Sequence, residues 1–233
     1  MEIGSGVTSI GSQAFYGCSQ IKDVIYNANI SSFSASDAFY DSYRSWTNLV
    51  IGGTVTNIGD WAFYGCIGLT GVEIGNGVTS IGEWAFSGCA DLIDILVSET
   101  NTAYRSISGV LFNKNATLLI QYPGGREGSY SIPDGVTSIG YGAFSGCTNL
   151  TGVTISSSVT NISDGAFSGC TSLADVMIPD SVTWIGDYAF EVCTGLTSVE
   201  IGSGVNDIGW GTFGGCTGLT GVEIGSGVER IGD

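Results

Sequence analysis

The chain has 233 residues, of which 43% are apolar and only 12% are charged, so it is long and apolar enough to bury a sizeable core. Its 22 acidic residues outnumber six basic ones, and the net charge of −16 argues against binding to nucleic acid or to an anionic membrane surface, which attract clustered lysine or arginine. The sequence contains no run of 18 apolar residues, which argues against membrane insertion. Histidine is absent, which excludes the usual Ser-His-Asp and Cys-His catalytic arrangements and removes the commonest metal ligand.

The chain opens on a short strand pattern, Glu2 and Ile3, followed by a turn-forming GSGV segment and a V-x-x-I spacing. This unit recurs along the chain, and from Cys147 onward its cysteine returns every 23 residues. The cysteines are Cys18, Cys66, Cys89, Cys147, Cys170, Cys193 and Cys216. Because one such unit cannot bury its own apolar face, the repeat predicts stacked copies.

Two spacings within the unit predict its local structure. Val153 and Ile155 alternate with polar neighbours, as in a strand with one buried face. The V-x-x-I-x-x-x-A-F spacing that follows predicts a short helical or 3-10 return. We therefore predict an α/β repeat, a solenoid over residues 1–233 with a parallel sheet on one face.

Two segments depart from the regular unit. Residues 30–55 form a degenerate copy of the unit, here called the worn repeat, which carries two extra residues. In it Ile30 takes the valine position, Trp46 the leucine position and Ser42 the cysteine position. Residues 98–128 form an island with two apolar runs around residues 113–115, which predicts a β-hairpin insertion.

The two ends of the sequence carry no polar cap. The chain begins within a strand and stops at residues 230–233 within a coil, whereas solenoids normally end in polar capping repeats. We expect a fragment of a longer chain, whose uncapped termini favour end-to-end self-association.

The sequence of residues 132–155, IPDGVTSIGYGAFSGCTNLTGVTI, resembles the BspA-like leucine-rich repeats, also called the Treponema pallidum type. The island AYRSISGVLFNKNATLLIQYPGG at 103–125 is similar to an insertion common in that family. The resemblance covers nearly the whole chain and implies a leucine-rich-repeat solenoid. It also implies an extracellular or cell-surface location, adhesion to host, matrix or microbial surface proteins, and no catalytic site.

The seven cysteines occupy one register, each three residues after phenylalanine or its equivalent. A linear column offers one ligand per coil, whereas zinc requires four convergent ligands, and stacked side chains point in parallel rather than at each other. We therefore expect free, buried thiols that fill the interior, with no metal, no cofactor and no catalytic residue.

Outward-facing strand positions form the main candidate for a partner-contact surface. Aligned on Thr154, this row contains Glu2, Ile25, Val50, Glu73, Leu96, Ser131, Thr154, Met177, Glu200 and Glu223. Its exposed apolar side chains would mark a protein-binding face, because apolar patches on a surface often do so. An alternative is that the hairpin island or neighbouring turns cover them.

A weaker candidate is the pair Trp61 and Trp84, one coil apart and beside Asp60 and Glu83. Two stacked indoles would hold a sugar ring or a partner side chain, or would serve only as a packing ladder on the outer wall. From these residues we favour a non-catalytic module that binds a protein through its sheet face. The alternative is a passive spacer within a larger surface protein.

Overall fold

The computed structural model describes residues 1–232 and divides into two compact units, Met1–Asn115 (unit 1) and Ala116–Asp233 (unit 2). Each unit is a β-solenoid of five turns, in which one main strand per turn stacks on the next. The predicted repeat solenoid is therefore confirmed. Within the described residues, no helix is long and apolar enough to cross a membrane.

Unit 1 contains a five-stranded parallel sheet in the order β1-β2-β3-β5-β7 and a second, narrow pairing of β4 with β6. Its strands are β1 Glu2–Ile3, β2 Asp23–Tyr26, β3 Asn48–Ile51, β4 Asn57–Ile58, β5 Gly71–Ile74, β6 Ser80–Ile81, β7 Asp94–Val97, β8 Tyr104–Ile107 and β9 Val110–Asn113. Inward and outward residues alternate along the main strands, as the apolar pattern predicts.

The worn repeat of unit 1 holds a short helix, α1 Ala35–Phe39, followed by a 3-10 helix at Tyr40–Ser45. The Ser34 hydroxyl caps α1 by accepting a hydrogen bond from the Asp37 amide at 3.3 Å. Ile30, Ser42 and Trp46 are all buried at the core positions where the repeat places them. The two extra residues of this repeat are thus accommodated without a break in the core.

Within the island, β8 and β9 form an antiparallel hairpin whose turn lies ahead of residues 113–115, around which the sequence predicts one. Its two-residue turn places Ser108 and Gly109 at φ 47° and 77°, the left-handed conformations that a tight hairpin turn requires. The Ser106 hydroxyl donates to the Ile95 carbonyl at 2.6 Å, and the Ile95 amide donates to the Gly109 carbonyl at 2.9 Å. The hairpin therefore lies along the edge of β7 and leaves the outward face of that strand open.

Unit 2 repeats the same plan with parallel main strands and parallel short strands. Its strands are β10 Leu118–Gln121, β11 Gly128–Ser131, β12 Ser138–Ile139, β13 Leu150–Thr154, β14 Asn161–Ile162, β15 Asp175–Ile178, β16 Trp184–Ile185, β17 Ser198–Ile201, β18 Asp207–Ile208, β19 Gly221–Ile224 and β20 Arg230–Ile231. The main strands pair as β11-β13 and β15-β17-β19, and the short strands run β10-β12-β14-β16-β18-β20.

The returns of the regular coils are not the helical or 3-10 segments predicted from their spacing. In unit 2 the amide of Phe167 donates to the Ala189 carbonyl at 2.7 Å, and the amide of Gly169 donates to the Glu191 carbonyl at 2.8 Å. A helix would require these bonds within its own segment. Gly165 also lies at φ 56°, a left-handed conformation that ends a right-handed turn. Bonding between coils therefore replaces the helix with a two-residue strand and single turns.

Successive regular coils each contribute a phenylalanine to a stacked column of rings. In unit 2 the ring centroids of Phe144 and Phe167 are 4.7 Å apart, those of Phe167 and Phe190 are 4.9 Å apart, and their planes are nearly parallel. In unit 1 the rings of Phe63 and Phe86 stack at 5.6 Å. The spacing between rings follows the spacing between neighbouring strands, about 4.8 Å, so one residue type fits every coil.

Candidate functional site

The outward row of unit 1 consists of Glu2, Ile25, Val50, Glu73 and Leu96. Adjacent members of this row are register partners in adjacent strands, which confirms the predicted alignment within this unit. Ile25 is 41% exposed and Leu96 is 53% exposed, whereas Val50 is half-buried. The apolar members of the row therefore face solvent and are not covered by the hairpin.

Two depressions flank the Val50–Glu73–Leu96 part of this row. The larger one has a volume of about 480 Å³ and lies at the carboxyl ends of β3, β5 and β7, with Gly52 and Glu99 among its lining residues. The smaller one, of about 120 Å³, lies at the amino ends of the same strands, beside Asn48 and Gly71. We call the row and its two depressions the unit 1 face.

Glycines line the larger depression where the backbones of successive coils approach each other closely. A Cβ atom on Gly75 would lie 2.7 Å from the Ile51 carbonyl oxygen, closer than carbon and oxygen normally approach. One on Gly52 would overlap the side chain of Asn27. The glycines that follow β3 and β5 thus do more than form a turn, since they allow the close approach of neighbouring coils beside the depression.

The outward row of unit 2 consists of Ser131, Thr154, Met177, Glu200 and Glu223. Thr154 pairs with Ser131, and Glu200 pairs with both Met177 and Glu223, as predicted. Met177 is 65% exposed. This row is less apolar than its counterpart in unit 1, because Met177 is its only large apolar member among the described residues.

The predicted buried column of thiols is correct for five cysteines and wrong for two. Cys66, Cys89, Cys147, Cys170 and Cys193 are buried, and all seven cysteines of the described chain are free thiols. Cys18 is exposed and Cys216 is half-buried. In this structure each of these two belongs to an outermost coil of its unit, where a neighbouring coil packs on one side only.

The buried thiols also have a bonding role that the sequence does not reveal. The Sγ atom of Cys170 donates to the Phe144 carbonyl at 3.1 Å, and that of Cys193 donates to the Phe167 carbonyl at 3.2 Å. In unit 1, Cys89 donates in the same way to Phe63 at 3.4 Å. Each thiol thus supplies a weak hydrogen-bond donor to the coil before it.

Burial makes these thiols poor nucleophiles. Desolvation raises the pKa of Cys89 to about 12 and raises the pKa values of Cys66 and Cys170 well above the ordinary value. Because the thiolate is the reactive form, a raised pKa keeps these groups protonated and inert at neutral pH. Residues 1–232 contain no group of three His, Cys, Asp or Glu side chains placed to hold a metal ion.

Trp61 and Trp84 stack on each other, with ring centroids 5.2 Å apart and planes 4° from parallel. Both residues lie at φ 58°, a conformation disfavoured for bulky side chains, and at the equivalent turn unit 2 has Gly142 and Gly165 but also Tyr188 at φ 55°. Trp61 also packs against Tyr64 with a centroid distance of 5.0 Å. The two indoles are stacked, as both predicted roles require, so a ligand site and a packing ladder both stay predictions.

The sequence of the chain matches a known family of repeat proteins. The model of the family described as the BspA type leucine rich repeat region matches residues 1–119 and 128–233, with six copies of the repeat. A search of curated protein sequences finds no match to this chain.

Solved structures of bacterial proteins share the fold. A leucine-rich repeat protein from Eubacterium ventriosum is 29% identical with a TM-score of 0.78, over 96% of this chain and 65% of that protein. A leucine rich cell surface protein from Faecalibacterium prausnitzii is 28% identical with a TM-score of 0.59, over 98% of this chain and 79% of that protein.

A more distant match is the pneumococcal vaccine antigen PcpA, which is 19% identical with a TM-score of 0.58, over 99% of this chain and 66% of that protein. At this identity the likeness concerns the fold alone. The chain spans 65% of the length of the Eubacterium ventriosum protein.

Proposed function

The chain belongs to the BspA-type leucine-rich repeat family, and from this premise we propose that it is a non-catalytic, surface-displayed module that binds another protein through the unit 1 face. The observation that carries the proposal is the exposure of Ile25 and Leu96 on the outward face of a rigid parallel sheet. Exposed apolar side chains in one patch are typical of protein-binding surfaces.

Three further observations support this proposal. The related Faecalibacterium prausnitzii structure is described as a cell surface protein. The depressions beside Val50 and Leu96 offer concave surface for a partner's side chains. The buried thiols have raised pKa values and lie away from this face, so they do not supply a nucleophile to it. A passive spacer would not need an uncovered apolar row.

We expect Leu96→Glu to reduce capture of the chain by a panel of immobilised extracellular-matrix proteins at least about tenfold. A buried interfacial charge without a partner is strongly unfavourable, whereas the free chain tolerates it because Leu96 is exposed. Met177→Glu tests the row of unit 2 in the same assay. Surface plasmon resonance gives the dissociation constants.

Ile67→Glu is the matched control, because Ile67 is 40% exposed in unit 1 but follows the return rather than a main strand. It should leave capture within about twofold of the parent chain. Capture of the Leu96→Glu chain equal to that of the parent would contradict binding through the unit 1 face. Equal capture by the parent, Leu96→Glu and Met177→Glu chains would contradict binding through either row and would favour the spacer.

A further inference from the structure

We propose that the unit 1 face recognises an extended, positively charged segment of its partner, and that one arginine side chain of that segment lies across Val50, Glu73 and Leu96. This inference rests on the proposed function, since it specifies the chemistry of the partner at the same surface.

The order of the three residues carries the inference. Glu73 is the register partner of Val50 on one side and of Leu96 on the other, so an exposed carboxylate stands between two apolar side chains. Adjacent strands are about 4.8 Å apart, which places the apolar pair about 10 Å apart with the carboxylate midway. Arginine matches this pattern, because its apolar stem packs on apolar surface while its planar guanidinium binds a carboxylate with two hydrogen bonds.

The depressions on either side of the row match an extended segment. They lie at opposite ends of β3, β5 and β7, with volumes of about 480 and 120 Å³. A strand directs alternate side chains to the same side, about 7 Å apart. A segment that crosses the row therefore places one side chain on Glu73 and the flanking ones in the two depressions.

Charge identifies the segment as basic. Glu73 and Glu99 both border the larger depression, and within residues 1–232 neither carboxylate has a salt-bridge partner. Complementary charge accelerates association and excludes wrong partners. A second copy of this chain is a poor occupant, because its net charge of −16 would bring like charges together. The favoured occupant is a basic segment of a different protein.

The test uses a fluorescent nine-residue peptide of alternating arginine and valine, and a second peptide with citrulline, an uncharged isostere, in place of arginine. Fluorescence anisotropy measures the dissociation constant for the full chain and its variants. Glu73→Gln should weaken binding of the arginine peptide about tenfold or more, because it removes a charge-assisted contact. Leu96→Ser should weaken it about fivefold, because it removes apolar packing for the arginine stem.

Glu83→Gln is the matched control, since it removes the same charge from an exposed residue of the same unit that lies outside the sheet. It should change the dissociation constant less than about twofold. The citrulline peptide should bind at least about tenfold more weakly than the arginine peptide to the parent chain, and equally to the parent and Glu73→Gln chains.

Equal weakening by Glu73→Gln and Glu83→Gln would show diffuse attraction by net charge and would overturn the inference, as would equal affinity for the arginine and citrulline peptides. The two proposals fail separately. If Leu96→Glu abolishes capture by matrix proteins but the peptides bind alike, protein binding through the face stands and the arginine site falls. If the peptides discriminate while Leu96→Glu leaves capture unchanged, the proposed route of matrix binding falls.

Discussion

Replacing Phe167 with alanine is expected to lower the free energy of unfolding by about 3–5 kcal/mol. The Phe167 ring is fully buried in unit 2 and stacks on Phe144 at 4.7 Å and on Phe190 at 4.9 Å. Its removal leaves a cavity that the neighbouring coils cannot close, because their backbones are hydrogen-bonded to each other. Urea denaturation followed by circular dichroism measures the change.

Phe213→Ala provides the control for this substitution. Among residues 1–232, Phe213 stacks only on Phe190, at 5.6 Å, and it is half-buried, so its loss should lower the free energy of unfolding about half as much. Two results would contradict a core built from a continuous column of stacked rings. One is an equal loss in free energy of unfolding for the two variants, and the other is a loss below about 1 kcal/mol for Phe167→Ala. An unchanged slope of the free energy of unfolding against urea concentration would show that each variant exposes the same surface on unfolding as the parent chain.

Raising the pH from 9 to 12 is expected to remove about 4 kcal/mol of stability through Cys89 alone. Burial raises the pKa of this thiol from its ordinary value of 9.0 to about 12. The unfolded chain therefore loses this proton first, so the contribution is fully present below pH 9 and is lost as the pH rises to 12. A difference of three pH units corresponds to about 4 kcal/mol.

Cys89→Ala isolates this contribution from that of the buried tyrosines. Urea unfolding of the parent and variant chains at pH 8 and pH 11, under reducing conditions, should show a shallower loss of stability in the variant. Cys18→Ala, which removes an exposed thiol, should lose as much stability between pH 8 and pH 11 as the parent chain does. The same dependence on pH in the parent and Cys89→Ala chains would contradict burial of this thiol as a protonated group.

Much of the fold is predictable because the period is carried by residues that fill the core. Val159, Ile162, Phe167 and Leu173 recur every 23 residues and are fully buried, so their spacing fixes which strand residues pair and which face outward. The outward row follows directly from this register. The exposure of Leu96 does not, because it depends on where the hairpin lies.

Three features could not be read from the spacing. The returns have helical periodicity, yet their amides bond to the next coil, a choice that only the stacked structure makes available. The sequence does not predict strand β8, because Tyr104–Ile107 lacks a strong apolar run, although the Ser108–Gly109 dipeptide is a turn signal. The larger depression depends on the close approach of the backbones at Gly52 and Gly75.

Photo-crosslinking tests the central claim, that the unit 1 face is the binding surface, most directly. A photoreactive phenylalanine analogue would replace Leu96 in one chain and Glu83 in another, and each chain would be irradiated with a matrix protein that captures the parent. The account predicts a covalent adduct from position 96 and none from position 83. An adduct from position 83 without one from position 96 would place the partner on another surface and would contradict the account.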